Sequence, residues 1–290
     1  MSPLMIRGAR SRRITRAFLC LIVVSLGTTI YADLASLSEV ETVILKQQGY
    51  PTSTVEQITE ATKSKSYAIR YAAIHLLTER VGKAAIPVLK EALRDPENVS
   101  VRRRAAQLLG TLGDKSGVEQ MKKDFAELRA KAALSVPNDP NTSDDARKRI
   151  QDEKNAALYD ALGVAKVLAE LGDLQGYELA ATTVFEGTWE LHRAEAIRVL
   201  AEIAGKDKGV LGRHQMAPLA VLSAAADSEK SAYVFSALLS AVAKLPHKDA
   251  ISVLDRAGKS ANQSEGKRKE AQGVIDLLKA KKKAAEEPIP

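Results

Sequence analysis

The sequence predicts an all-α protein, a right-handed α-solenoid of about five to six antiparallel helix pairs. Three observations lead to this fold class. Hydrophobic residues make up 45% of the chain and aromatic residues only 4%, which suits closely packed helices better than strands, since strands favour aromatic and β-branched side chains. A motif recurs at a spacing of about two helices. Four prolines, Pro96, Pro137, Pro140 and Pro246, fall between the helix-like segments, where they do not interrupt a helix.

The recurring motif is clearest at residues 101–114 (VRRRAAQLLGTLGD), and residues 69–78 (IRYAAIHLLT) carry an earlier copy. Fainter copies follow at residues 167–173, 199–205 and 235–245. Each copy has apolar residues at helical spacing, so each is predicted to form the first helix of a pair. The second helices are predicted at residues 84–94, 116–131, 174–186, 215–226 and 247–257.

One helix pair cannot bury its own apolar face, so the pairs are predicted to stack around a continuous core over residues 33–263. Residues 37–45 and 52–63 resemble an irregular first pair, and residues 264–290 a charged capping helix and tail. Between residues 122 and 154 the chain is too long for an ordinary connector. We predict a hairpin of two extended helices there, either a solvated elaboration or an arm that docks a partner.

Residues 95–114 (DPENVSVRRRAAQLLGTLGD) resemble the HEAT repeat in its bacterial phycobilin-lyase-like form. The resemblance lies in a connector aspartate followed by Val-Arg, Ala-Ala and Leu-Gly pairs. It implies a HEAT-like solenoid in which Asp95 and Arg102 form the contact that ties one repeat to the next. The lyase branch would handle a linear tetrapyrrole, but no distinctive pocket signature accompanies the motif. No cofactor is therefore expected.

Residues 1–32 are predicted to be a signal peptide. Five arginines and no acidic residue accompany an apolar run at residues 17–32, which ends at Ala32 and is shorter than a membrane span. Without this segment, 38 basic residues face 36 acidic ones, so no nucleic-acid partner is expected. Cys20, the only cysteine, would be lost with it. We expect export to the periplasm, cell envelope or medium; a retained segment would instead anchor the protein to a membrane.

No catalytic or metal site is predicted. The four histidines, His75, His192, His214 and His247, are spread over the repeats, and none begins the His-Glu pair that marks the di-iron hydroxylases among HEAT-like proteins. Gly-rich phosphate loops and Gly-x-Ser-x-Gly are also missing from the sequence. The leading hypothesis is an exported, non-enzymatic protein-interaction scaffold. Two alternatives stay open: an enzyme or accessory subunit with a site on the concave face, and a membrane-tethered scaffold.

Trp189, the only tryptophan, is the best candidate for a partner-binding anchor. Aromatic and arginine side chains are enriched in interface hot spots, so the candidate set also includes Tyr177, His192, Arg193 and Tyr233. The alternative is that Trp189 fills a gap at a repeat junction. The sequence does not identify the protein partner, and a monomer is expected.

Overall fold

The computed structural model describes residues 35–137, 139, 142–207 and 217–286. The predicted signal peptide and His214 lie outside the described residues. Within them the regular structure consists of α-helices and short 3-10 turns, and they contain no strand. The prediction of an all-α fold is thereby confirmed. The chain divides into two compact units, with the boundary after Val88.

The first unit contains three α-helices and a 3-10 turn: α1 (Ala35–Gln47), α2 (Val55–Ala61), α3 (Tyr67–Val81) and Gly82–Ala85. Helix α3 packs against both α1 and α2. Its motif side chains, including Ile74 and Leu77, are buried. His75 of α3 forms a buried hydrogen bond with Glu41 of α1, so this histidine links the two helices. The next helix, α4 (Ile86–Ala92), spans the unit boundary.

The second unit continues with α5 (Val99–Thr111), α6 (Val118–Ala132), α7 (Asp144–Glu170), α8 (Tyr177–Glu186), α9 (Glu190–Lys206), α10 (Pro218–Ser228), α11 (Ala232–Val242), α12 (His247–Lys259) and α13 (Glu265–Glu286). Helices α5, α7, α9, α11 and α13 form a first row, in which each contacts the next. Helices α6, α8, α10 and α12 each pack on the first-row helix before them. This pairwise stacking is that of a HEAT-like solenoid.

An arginine occupies the fourth position of α3, α5, α7, α9 and α13, and its guanidinium donates to the main chain of the connector before that helix. We call this contact the arginine clamp. The recorded pairs are Arg70 with Ser64 O at 2.8 Å, Arg102 with Asp95 O at 2.7 Å, Arg147 with Asp139 O at 2.6 Å, Arg193 with Gly187 O at 2.9 Å, and Arg268 with Gln263 O at 2.6 Å.

The clamp shows how Asp95 and Arg102 meet. Arg102 reaches the main-chain oxygen of Asp95, while the Asp95 carboxylate accepts from the N–H groups of Glu97 and Asn98 at 3.0 and 2.8 Å. Both interactions stay within one connector and the helix that follows it. They fix the entry to α5, because each satisfies a polar group that the turn leaves free.

Helix α11 departs from this arrangement, since its fourth residue is the fully buried Phe235. The connector before α11 is held by a residue of α13. Lys267 Nζ donates to the main-chain oxygens of Glu229 and Lys230 at 2.9 and 2.7 Å. The same ammonium lies 5.2 Å from the centre of the Phe235 ring, within cation–π range. Lys267, near the start of α13, therefore fixes the main chain that leads into α11.

Candidate functional site

Two large aromatic side chains are exposed where α8 turns into α9. Phe185 and Trp189 are 51% and 48% accessible to solvent. Only the connector 187–189 separates the two helices, so the α-carbons of these two residues are at most about 14 Å apart. We call residues 185–190 the aromatic corner. Glu186 and Glu190, also exposed, complete it.

Trp189 occupies the N-cap of α9, a position that serine or asparagine holds in comparable helices. The residues in that position are Ser66, Asn98, Ser143 and Ser231. Asn98, Ser143 and Ser231 accept hydrogen bonds from the first-turn N–H groups of their helices, whereas Trp189 makes no side-chain cap. An apolar N-cap forgoes about 1 kcal/mol of helix stability. Capping therefore does not account for the tryptophan.

The imidazole ring of His192 packs against one face of the Trp189 indole. The two rings stack, with centroids 5.3 Å apart and planes inclined by 14°, and Tyr159 of α7 lies beyond, 6.5 Å from the imidazole. His192 itself is only 2% exposed. Burial lowers its pKa, and a hydrogen bond to the main-chain oxygen of Asn155 partly opposes that shift. His192 is thus neutral at pH 7, and the indole of Trp189 stacks on an uncharged imidazole ring.

Arg193 holds the connector of the corner in place. Its clamp to Gly187 is supported by a two-point ion pair with the buried Glu229, at 3.0 and 3.2 Å. Glu229 also accepts from the N–H of Ser231 at 2.7 Å, which links the corner to the next repeat. Gly187 is required at its position, because a Cβ there would lie 2.5 Å from the carbonyl oxygen of Thr183. These contacts hold the main chain of the connector in its observed conformation.

Helix α7 extends past the start of α9, its neighbour in the first row. His192 near the start of α9 bonds to Asn155, and eleven residues of α7 precede Asn155. This α7 extension, residues 144–154, has four acidic and four basic side chains. The sequence predicted two extended helices here. In the structure α6 ends at Ala132, and the described residues between it and α7 are not helical.

The structure separates the predicted partner-binding residues by burial. Trp189 and Tyr233 are accessible, whereas Tyr177 is 5% exposed and His192 lies beneath Trp189. Burial, followed by the nearby Asp207, raises the pKa of Tyr177. Arg193 acts as a structural clamp. A role in partner binding stays a prediction for all five residues.

Sequence reasoning missed Phe185, although a signal was present. The buried residues of α8 are Tyr177, Ala180, Thr183 and Val184, which follow helical spacing. Phe185 falls one position outside this stripe and is left on the surface.

A second polar cluster joins α5 and α6. Asp124, 1% exposed, pairs with Arg103 Nε at 3.0 Å, and Gln120 donates to the same carboxylate oxygen at 3.0 Å. Arg103 also pairs with the exposed Glu127 at 2.7 Å. Partial burial raises the pKa of the nearby Asp160, and the charge of Arg103 opposes this. This arrangement is an ion-pair network between neighbouring helices.

An open cleft of about 520 Å³ lies on the surface of the second unit, lined by residues of α6 and α8: Arg129, Tyr177, Glu178, Leu179, Ala181 and Thr182. Among the described residues, no group of three or more histidine, cysteine, aspartate and glutamate side chains is placed to hold a metal ion. A membrane-crossing helix, judged by length and hydropathy, is also absent from the described part of the chain.

Comparison with known families agrees with the fold. A family model for HEAT repeats matches residues 55–136, the region in which the repeat motif is clearest. The match supports a HEAT-repeat family, and it does not distinguish the phycobilin-lyase-like subtype. No curated protein matches the chain.

Proposed function

We propose that this protein is an exported, non-enzymatic interaction scaffold that binds a partner protein at the aromatic corner. One observation carries the proposal: Trp189 lies half exposed at an N-cap position, on a stack of HEAT-like repeats. Stacked repeats offer extended surfaces for protein partners. The position of Trp189 weakens its helix, so the benefit of the tryptophan lies outside helix stability.

The chemistry of the corner suits an interface. Exposed tryptophan is among the residues that contribute most to binding when a partner covers them. The two-point contact of Arg193 with Glu229 and the stacking on His192 fix the site before binding. A site that is already ordered loses less conformational entropy when its partner arrives.

Photo-crosslinking in the native host tests the scaffold proposal. We expect Thr188→benzoylphenylalanine, which places the probe on an exposed neighbour and leaves Trp189 intact, to crosslink one reproducible protein. Leu277→benzoylphenylalanine is the matched control, since Leu277 is 54% exposed on α13 and lies outside the corner. No crosslinked protein from position 188, or the same proteins from both positions, would contradict the proposal.

The proposal of export rests on the arginine-rich and apolar character of residues 1–32. N-terminal sequencing of the protein from the envelope fraction tests it. A chain that begins at Asp33 is expected. A chain that retains residues 1–32 in the membrane fraction would favour the tethered scaffold instead.

We further propose the phycobilin-lyase-like form as the repeat subtype, supported by the Val-Arg, Ala-Ala and Leu-Gly pairs of residues 95–114. This proposal concerns only the repeat subtype and does not include the binding of a tetrapyrrole. A sequence profile of that subtype that fails to align with residues 65–131 would contradict it.

A further inference from the structure

We propose that the aromatic corner recognises a cationic segment of its partner, one that presents an arginine or lysine side chain beside an apolar residue. The inference rests on the proposed scaffold function and specifies the chemistry of the partner. Charge complementarity carries it, together with the geometry of Trp189.

The exposed charge of the corner is negative. Glu186 and Glu190 flank the connector on either side, and within the described part of the chain neither carboxylate has an ion-pair partner. The one cation of the connector region, Arg193, is already paired with Glu229 through two hydrogen bonds. An incoming cation therefore meets two uncompensated carboxylates.

The indole of Trp189 adds a site for the same cation. One face of the ring lies on His192, and the side chain as a whole is 48% exposed. Tryptophan is the best aromatic partner for a cation. A guanidinium group can stack on an indole while its N–H groups bond to a carboxylate. Glu186 and Glu190 lie within four residues of the tryptophan and can supply that carboxylate.

The rest of the surroundings do not cancel this preference. His192 beneath the indole is buried and uncharged at pH 7, so it does not repel a cation. The α7 extension has equal numbers of acidic and basic side chains and adds no net charge. Phe185, 51% exposed, provides an apolar contact for the residue next to the cation. An acidic or purely apolar partner would leave the two carboxylates unpaired.

Peptide titration of the exported protein tests the inference. The probes are an octapeptide with alternating arginine and leucine and its counterpart with glutamate in place of arginine. Because Trp189 is the only tryptophan, its fluorescence reports binding at the corner. We expect the arginine peptide to change the emission in a saturable, salt-sensitive way and the glutamate peptide to leave it unchanged.

The Glu186→Gln/Glu190→Gln variant is expected to bind the arginine peptide about tenfold more weakly. The matched control, Glu119→Gln/Glu265→Gln, also removes two exposed carboxylates but outside the corner, and it should bind as the unaltered protein does. Equal binding of the two peptides, or equal effects of the two variants, would overturn the inference.

The crosslinked partner separates this inference from the proposed function. Mass spectrometry of the adduct from position 188 should place the contact in a segment that contains arginine or lysine. A contact in an acidic segment, or in residues 1–32 of this chain, would overturn the inference; the acidic contact would leave the scaffold proposal standing. No adduct at all would overturn both.

Discussion

Arg103 pairs with two carboxylates that differ sharply in their access to water. The side chain of Asp124 is 1% exposed, and that of Glu127 is 60% exposed. Removing one partner of a buried pair leaves an uncompensated charge in the interior, whereas an exposed pair is screened by solvent. The same arginine therefore makes one contact that solvent screens little and one that solvent screens strongly.

Asp124→Ala is expected to lower the free energy of unfolding by about 2 kcal/mol, since it removes the buried partner of Arg103 and the acceptor of the Gln120 side chain. Glu127→Ala removes the exposed partner of the same guanidinium and should cost less than about 1 kcal/mol. Urea denaturation of the two variants measures the difference. Equal losses would show that burial does not set the strength of this network.

His192 should make stability depend on pH. Burial holds its pKa below the ordinary value of 6.5, so the unfolded chain binds a proton more readily than the folded one. The resulting stabilisation is fully present above pH 6.5 and is lost as the pH falls through the lowered pKa. Chemical denaturation between pH 4 and 8 measures this.

His192→Asn removes the titrating group and should flatten that part of the pH profile. His247→Asn, at the start of α12, is the control and should retain it. An unchanged slope in His192→Asn would exclude this histidine as its source.

At the residue scale, sequence indicated which side chains were unusual but not which of them face solvent. Side-chain chemistry favours Trp189, Tyr233, Tyr177 and His192 alike as binding residues, yet the first two are accessible and the last two are buried. Burial depends on which helix covers which face, and periodicity along one helix does not contain that information. The ion pair of Arg193 with Glu229 was equally hidden, because 36 residues separate its partners.

At the scale of helices, the motif was a better guide. The second helices predicted at 116–131, 174–186 and 247–257 are observed as α6, α8 and α12, with ends that differ by only a few residues. Helical spacing and connector prolines are local signals, so they place helices well. Of the arginine clamp, the sequence shows only the Val-Arg pair. The acceptors are main-chain oxygens, and because every residue has one, the sequence does not indicate which of them accept.

The clamp of α11 by Lys267 can be tested with a matched pair of lysines. Lys267→Met removes the donor to the carbonyl oxygens of Glu229 and Lys230 and should lower the free energy of unfolding by about 2 kcal/mol. Lys269→Met, two residues on, removes only an exposed pair with Glu265 and should cost less than about 0.5 kcal/mol. Urea denaturation distinguishes them; similar midpoints for both variants would contradict the clamp.

At the scale of the whole molecule, charge is distributed unevenly along the chain. The formal net charge is +7, and five of the basic residues lie in residues 1–32 without an acidic residue among them. The remaining 258 residues carry a formal charge of only +2. Net charge governs non-specific binding to anionic surfaces, so the two forms of the chain should differ in solution.

Cation-exchange chromatography at pH 7 measures this difference. Residues 33–290 are expected to elute at low salt and residues 1–290 at distinctly higher salt. Co-elution of the two forms would show that the basic character resides in the folded repeats instead.

The exchange of arginine for Phe235 in α11 also bears on how the repeat array can grow. Where a clamp arginine is present, the turn and the side chain that closes it are encoded within eight residues of each other, so a duplicated segment carries both. The turn before α11 is closed by a lysine encoded 37 residues downstream. An in-frame duplication or deletion that ends between α11 and α13 separates the two and leaves the turn open. Gains and losses of repeats should therefore fall before α11, with residues 232–286 inherited as one block.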